Sequence, residues 1–160
     1  MSYCGIADLR AEGVTEEQMT DEQASQLIDL VCGYIDRVTG QWFEPRRKTV
    51  KLDGRGGQVL KLPVFLINSD EIRVDDIPID DYVLFNRISP EDDRNYPKIY
   101  RRTKWPRGIQ NIQIDGEWGY IEEDGTTPLL IKRAAIKLCL YNFPALGDAE
   151  AQEEKDLREK

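Results

Sequence analysis

The apolar residues of this chain change period and then change back, and that switch constrains the fold more than any motif does. Leu27, Ile28, Val31, Ile35 and Val38 fall on one face of a helix. From about Lys48 the period becomes two. Val50 and Leu52 alternate with Thr49, Lys51 and Asp53, and Leu60 and Leu62 alternate with Val59 and Lys61. Ile72 and Val74 continue the pattern, as do Ile112 and Ile114 further on. The helical period then returns: Leu130 to Phe143 is densely apolar, with only Lys132, Arg133 and Lys137 charged, which predicts a helix buried on most of its surface. A helical stretch, a run of antiparallel strands and a second helical stretch predict an α+β fold. Its small helical core comes from helices at about 21–38 and 128–143, its β-rich insertion lies at about 48–120, and residues 1–147 make a single domain.

Local signals sharpen the boundaries. Ile6 to Arg10 suits one short helical turn that Gly13 ends. Thr15 with Gln18, and Thr20 with Gln23, fit the capping box, in which a Thr side chain and a Gln three residues later satisfy each other's backbone amides. Gly40 stops the helix that follows. Asp53-Gly54 between alternating runs predicts a hairpin through DGRGG. The stretch DDIPIDD reads as a turn followed by a short strand near Tyr82 to Phe85, and Pro78 argues for an edge position. SPEDDRNYP is a polar loop. Thr127 and Pro128 open the last helix, and Pro144 and Gly147 are expected to end it. Residues 148–160 are highly charged, with Leu157 the one large apolar side chain, so this tail is either a disordered end or an arm that orders on a partner.

Composition removes whole classes of chemistry. The 160 residues contain no histidine, which excludes Ser-His-Asp and Cys-His catalysis and histidine metal sites. The formal net charge of -8 argues against a duplex-DNA binder that works by neutralising phosphates. The 3 cysteines, Cys4, Cys32 and Cys139, form no CxxC pair and read as buried free thiols in a reducing compartment. No apolar run suggests a signal peptide or a membrane span, so a soluble chain folding in a cytoplasm is expected.

Candidate sites remain. A phosphate loop needs its glycines where a strand turns into a helix, but DGRGG is followed by the strand pattern QVLKLP. Asp75, Asp76, Asp80 and Asp81 could hold a hard cation, yet they lack EF-hand spacing and suit a solvated face that blunts an edge strand. Trp42 and Phe43 beside Arg46 and Arg47 have the composition of interface anchors; the alternative is that both aromatics cap the core. Trp105 with Arg101, Arg102 and Arg107 has the composition of a stacking platform for single-stranded nucleic acid, which the acidity of the chain disfavours. The basic block Arg46 to Lys61 and the acidic block Asp70 to Asp81 suggest association with copies of the chain or with a charged partner.

The order YCGIADLRAEGVT, IDRVTGQWFEPRRKTVKLDGRG, VLKLP, GEWGY and TPLLIKRAAIKLCLY resembles the head–tail connector, or adaptor, proteins of long-tailed bacteriophages and gene-transfer particles. The most specific parts are the I-D-x-x-T-G-x-x-F-E-P-R run and L-D-G-x-G, and the likeness extends to about Phe143. It implies a structural virion protein of the neck, with no catalysis and no cofactor or metal. Its partners would be the portal protein, a stopper or tail-completion protein, and copies of itself in a dodecameric ring through which packaged DNA passes without specific binding. The resemblance makes Trp42, Phe43, Arg46 and Arg47 candidates for subunit contact. It makes the tail after Gly147, with Leu157, Arg158 and Lys160, the candidate for docking on the portal. Two readings stand against it: a metal-dependent enzyme built on the acids at 75–81, and a non-viral adaptor domain that binds a cellular protein.

Overall fold

A computed structural model describes residues 2–85 and 97–158, with side chains placed through Phe143. The chain is α+β and forms two compact units, a helical one (1–39 and 127–160) and a strand-rich one (40–126) inserted into it.

In the helical unit, α1 (Ile6–Ala11) and α2 (Asp21–Thr39) follow the local signals closely, and α3 (Leu129–Arg158) starts just after Thr127 and Pro128 as expected. Both capping boxes form. The Thr15 amide donates to Gln18 Oε1 at 3.0 Å and the Gln18 amide to Thr15 Oγ1 at 3.3 Å. Thr20 and Gln23 repeat the exchange at 3.0 and 3.2 Å and start α2. Leu27, Ile28, Val31 and Ile35 bury the expected stripe of α2, whereas Val38 is exposed. The cysteines converge here, all buried and free. The Tyr3 amide donates to Cys32 Sγ at 3.3 Å. A hydrogen bond between Cys4 and Cys139 lowers the Cys4 thiol; the same bond, reinforced by burial, pushes Cys139 up.

α3 departs from expectation in two ways. It runs through Pro144 and Gly147 to Arg158 instead of stopping near 143. A proline removes one i→i−4 hydrogen bond, and the run AEAQEEKDLR beyond it is made of strong helix formers that carry the helix on. Nor is its apolar stretch buried on most sides. Ala135 and Cys139 are fully covered, but Leu129, Leu130 and Tyr141 are 61%, 78% and 80% exposed.

The strand-rich unit holds two sheets. The larger has the order β1 (Arg46–Gly54), β7 (Gly108–Trp118), β3 (Leu66–Val74) and β4 (Ile77–Ile79); the smaller has β2 (Val59–Lys61), β6 (Lys98–Arg101) and β5 (Tyr82–Phe85). All pairings are antiparallel. Ile112, Ile114 and Trp118 on β7 are completely buried and pack with Leu66 and Ile72 of β3 and with Ile99 of β6 in one apolar core. β4 is an edge strand, where the missing amide of Pro78 costs the sheet nothing. Asp75 and Asp76, with φ of 49° and 65°, form the two-residue turn between β3 and β4, a geometry that aspartate tolerates better than most residues.

DGRGG is not a hairpin. β1 pairs with β7 and β2 pairs with β6, so the segment carries the chain from one sheet to the other. The reason lies far away in sequence. A Cβ on Gly54 would stand 1.8 Å from the Pro106 carbonyl oxygen, so this glycine serves a close crossing of two chain segments. The next residues belong to the second sheet, where the Trp105 amide donates to the Gly57 carbonyl at 2.7 Å.

Candidate functional site

The segment QWFEPRR is the first residue group to place, because it joins interface composition to the family resemblance. The segment bends at Glu44 and enters β1 at Arg46, and its backbone closes against the GEWGY segment. Arg46 stands opposite Trp118 in the β1–β7 register. The Tyr120 amide donates to the Trp42 carbonyl at 2.7 Å, and a Cβ on Gly119 would meet the Glu44 carbonyl at 2.4 Å. Two motifs more than 70 residues apart therefore form one structure, with Trp118 Nε1 donating to the Lys48 carbonyl across |i−j| = 70 at 3.0 Å.

The four candidate residues separate into different roles. Phe43 is buried and meets the Tyr120 ring edge-on at 6.4 Å; Tyr120 in turn meets Phe65 at 5.0 Å. Trp42 is half-buried beneath the Arg46 guanidinium, 5.3 Å from the ring centroid. Arg46 also pairs with the buried Glu44 carboxylate at 3.2 Å. Arg47, one residue on and so on the opposite face of the strand, pairs with Asp70 where both are exposed. Of the quartet, Arg47 is the member most accessible to another chain.

The charge blocks seen in sequence are not separate in space. On the outer face of the large sheet Arg47 stands opposite Glu117 and Thr49 opposite Asp115, and Thr49 hydrogen-bonds the Asp115 carboxylate. β7 thus lays acids beside the basic strand, and much of the expected polarity is neutralised within the fold. In the cluster with Arg101, Arg102 and Arg107, Trp105 is 1% exposed, donates from Nε1 to the Gln58 carbonyl at 3.2 Å and lies under Arg101. It is a core residue and offers no face for a base to stack on.

The acids at 75–81 are divided. Asp75 and Asp76 sit at the turn, and the three residues of β4 carry the chain roughly 10 Å before Asp80 and Asp81. Asp81 accepts from Thr103 Oγ1 at 2.7 Å and from Arg101 Nε at 3.0 Å. The Thr103 hydrogen bond, followed by the Arg101 bond and charge, holds its carboxyl below the usual range. Among the described residues no group of three or more Cys, Asp or Glu is arranged to hold a metal.

A second surface was not anticipated from sequence. In the helical unit a groove of about 350 Å³ runs between α2 and α3, lined by Leu30, Tyr34, Arg37, Leu138 and Tyr141. Leu30 and Tyr34 are 66% and 52% exposed, and Val38 extends the same stripe. The usable signal was the spacing 30–34–38, which adds a second apolar face to a helix whose first face already makes the core. Of the tail candidates, Leu157 and Arg158 fall in the last turn of α3 with side chains outside the described residues; Lys160 and the loop at 89–96 also lie outside them.

No family model matches the chain. No curated protein matches it either. In fold it is similar to a chain in the solved neck of an empty GTA (gene transfer agent) particle, computed with C6 symmetry. The TM-score is 0.60 at 14% sequence identity, over 86% of this chain and 76% of the other. The two share a fold.

Proposed function

We propose that this chain is a structural neck protein of a phage-like particle, a head–tail connector or adaptor that forms a ring under the portal. The ring extends the DNA channel and joins the head to a stopper or tail protein during assembly. The observation that carries this reading is the shared fold with a particle-neck chain over 86% of the sequence. The order of the connector-like motifs along the sequence supports it as well.

In this reading residues 1–147 are the adaptor domain, and residues 148–160 dock on the portal through Leu157, Arg158 and Lys160. Arg47 reaches a neighbouring chain, while Trp42, Phe43 and Arg46 hold the segment that presents it. The neighbour's C6 symmetry accommodates a dodecamer that repeats every second subunit. A net charge of -8 suits a conduit that lets DNA slide without gripping its phosphates.

The test is the mass of the complex formed when purified protein is mixed with the portal ring. Saturable binding at one chain per portal subunit, or a fixed simple ratio, supports the proposal. A folded chain that leaves the portal at its own mass refutes it.

A further inference from the structure

A ring closes by head-to-tail contacts, so each subunit must carry two unlike patches that fit each other. The ring itself rests on the function proposed above; which patches make it is a separate question. One patch is the helical groove, where the apolar sequence of α3 demands more burial than the chain provides. Its exposed stripe is Leu30, Tyr34 and Val38 on α2 with Tyr141 on α3. The charges beside it are mainly positive. Arg37 lines the groove, and Arg133 and Lys137 precede Tyr141 at steps of four residues on exposed α3. Asp29 is the acid next to this stripe.

The complementary patch lies at one end of the large sheet. There the β1–β7 register slips: Leu52 faces Ile112 but Gly54 faces Gly108, so β7 carries extra residues that bulge outward. Gln110 is driven to φ 49° and Ile109 is left 89% exposed. The bulge is fastened in place. Asn111 Oδ1 accepts from the Gly54 amide at 2.8 Å, Asn111 Nδ2 donates to the Pro106 carbonyl at 2.9 Å, and Asp53 accepts from the Gln110 amide at 2.6 Å. The Asp75 amide donates to the Asn111 carbonyl at 2.9 Å, which brings the β3–β4 turn beside the bulge with Ile77 66% exposed. The tip therefore offers two isoleucines with Asp53, Asp75 and Asp76 around them. Arg73 on β3 is close enough to Asp76 for their charges to interact but pairs with Glu71 at 2.8 Å, and Arg55 and Arg107 sit past the Gly54–Gly108 pair on the β1 side, with Arg107 lying over Gly56.

An apolar knob on a fastened backbone, flanked by Asp53, Asp75 and Asp76, matches an apolar groove edged by guanidinium and ammonium groups. We infer that the sheet tip of one copy, led by Ile109, seats in the α2–α3 groove of the next copy and closes the ring. A backbone already fastened loses little freedom on binding, which is why such a bulge suits a contact. The charges around it orient the encounter and make assembly weaken with salt.

The experiment uses Ile109→Asp and Tyr141→Asp, each with the full chain, and reads complexes with the portal ring by native mass spectrometry. Both positions are exposed, so both variants keep the wild-type melting temperature; Ile109→Val and Tyr141→Phe serve as controls that retain assembly. The expected result is that either Asp variant alone loses contact between neighbouring copies. Mixed together in solution they give heterodimers of twice the chain mass and nothing larger, because one intact tip meets one intact groove. A double variant Ile109→Cys with Tyr34→Cys, oxidised in the wild-type-like ring, gives a ladder of covalent multimers. Full rings from both Asp variants overturn the inference. So does a result in which Tyr141→Asp alone fails, because the groove then holds a portal segment instead. If wild-type protein forms no ring at all, the proposed function fails and not this choice of surfaces.

Discussion

Replacing Arg46 and Arg47 one at a time separates folding from assembly, and the structure sets the size of each effect. The Arg46 side chain is 23% exposed and that of Glu44 is 10% exposed, at 3.2 Å. Arg46→Ala leaves a nearly buried carboxylate without its cation. Breaking a fully buried pair costs about 3–5 kcal/mol, so about 2–3 kcal/mol is expected for this partly wetted one. Losing the contact with the Trp42 ring adds about 0.5–1 kcal/mol. Arg47 and Asp70 are 68% and 50% exposed, so Arg47→Ala costs about 0–1 kcal/mol. Urea unfolding followed by tryptophan fluorescence measures both. With a slope of about 2 kcal/mol per M, Arg46→Ala lowers the midpoint by about 1–2 M and Arg47→Ala hardly moves it. Arg47→Glu then remains folded but binds neighbouring chains on the portal less well. Equal midpoints for the two alanine variants would refute the assignment of Arg46 to the fold and Arg47 to the surface.

Gly54→Ala forces a Cβ to within 1.8 Å of the Pro106 carbonyl, a backbone atom that cannot swing aside. It should lower the melting temperature or the soluble yield sharply, whereas Gly57→Ala, with open space at its Cβ, leaves both within error. Asp81 has a carboxyl pKa below its ordinary 3.8. Its contribution is therefore present above that value and lost as pH falls below it. Asp81→Asn should reduce stability at neutral pH, and the gap from wild type should close well below pH 3.8; a gap that persists at low pH would show that Asp81 acts through shape and not charge.

What could be read in advance followed the range of the interactions. The capping boxes, the start of α2 and the alternation of β7 are set by residues within a turn or two, so Thr20 with Gln23 and Ile112 with Ile114 announced them. Partnership between strands is not local. Alternation says that Val50 and Leu60 lie in strands; it does not say that their partners are Ile114 and Ile99. Asp53-Gly54 suggested a hairpin because the reason for that glycine, the Pro106 carbonyl, is distant in sequence. The arginines looked alike as a pair until the strand turned one inward to Glu44 and the other outward to Asp70. The apolar run of α3 predicts burial on most sides, but Leu130 and Tyr141 are 78% and 80% exposed, because apolar composition does not say that the same chain supplies the cover.

The most direct test of the central claim is a reconstruction of the neck of particles assembled with this chain. The account predicts a closed ring of copies between portal and tail, with Ile109 of each copy against Tyr34 and Tyr141 of the next. Density for the chain elsewhere in the particle, or a neck that is complete without it, would contradict the account.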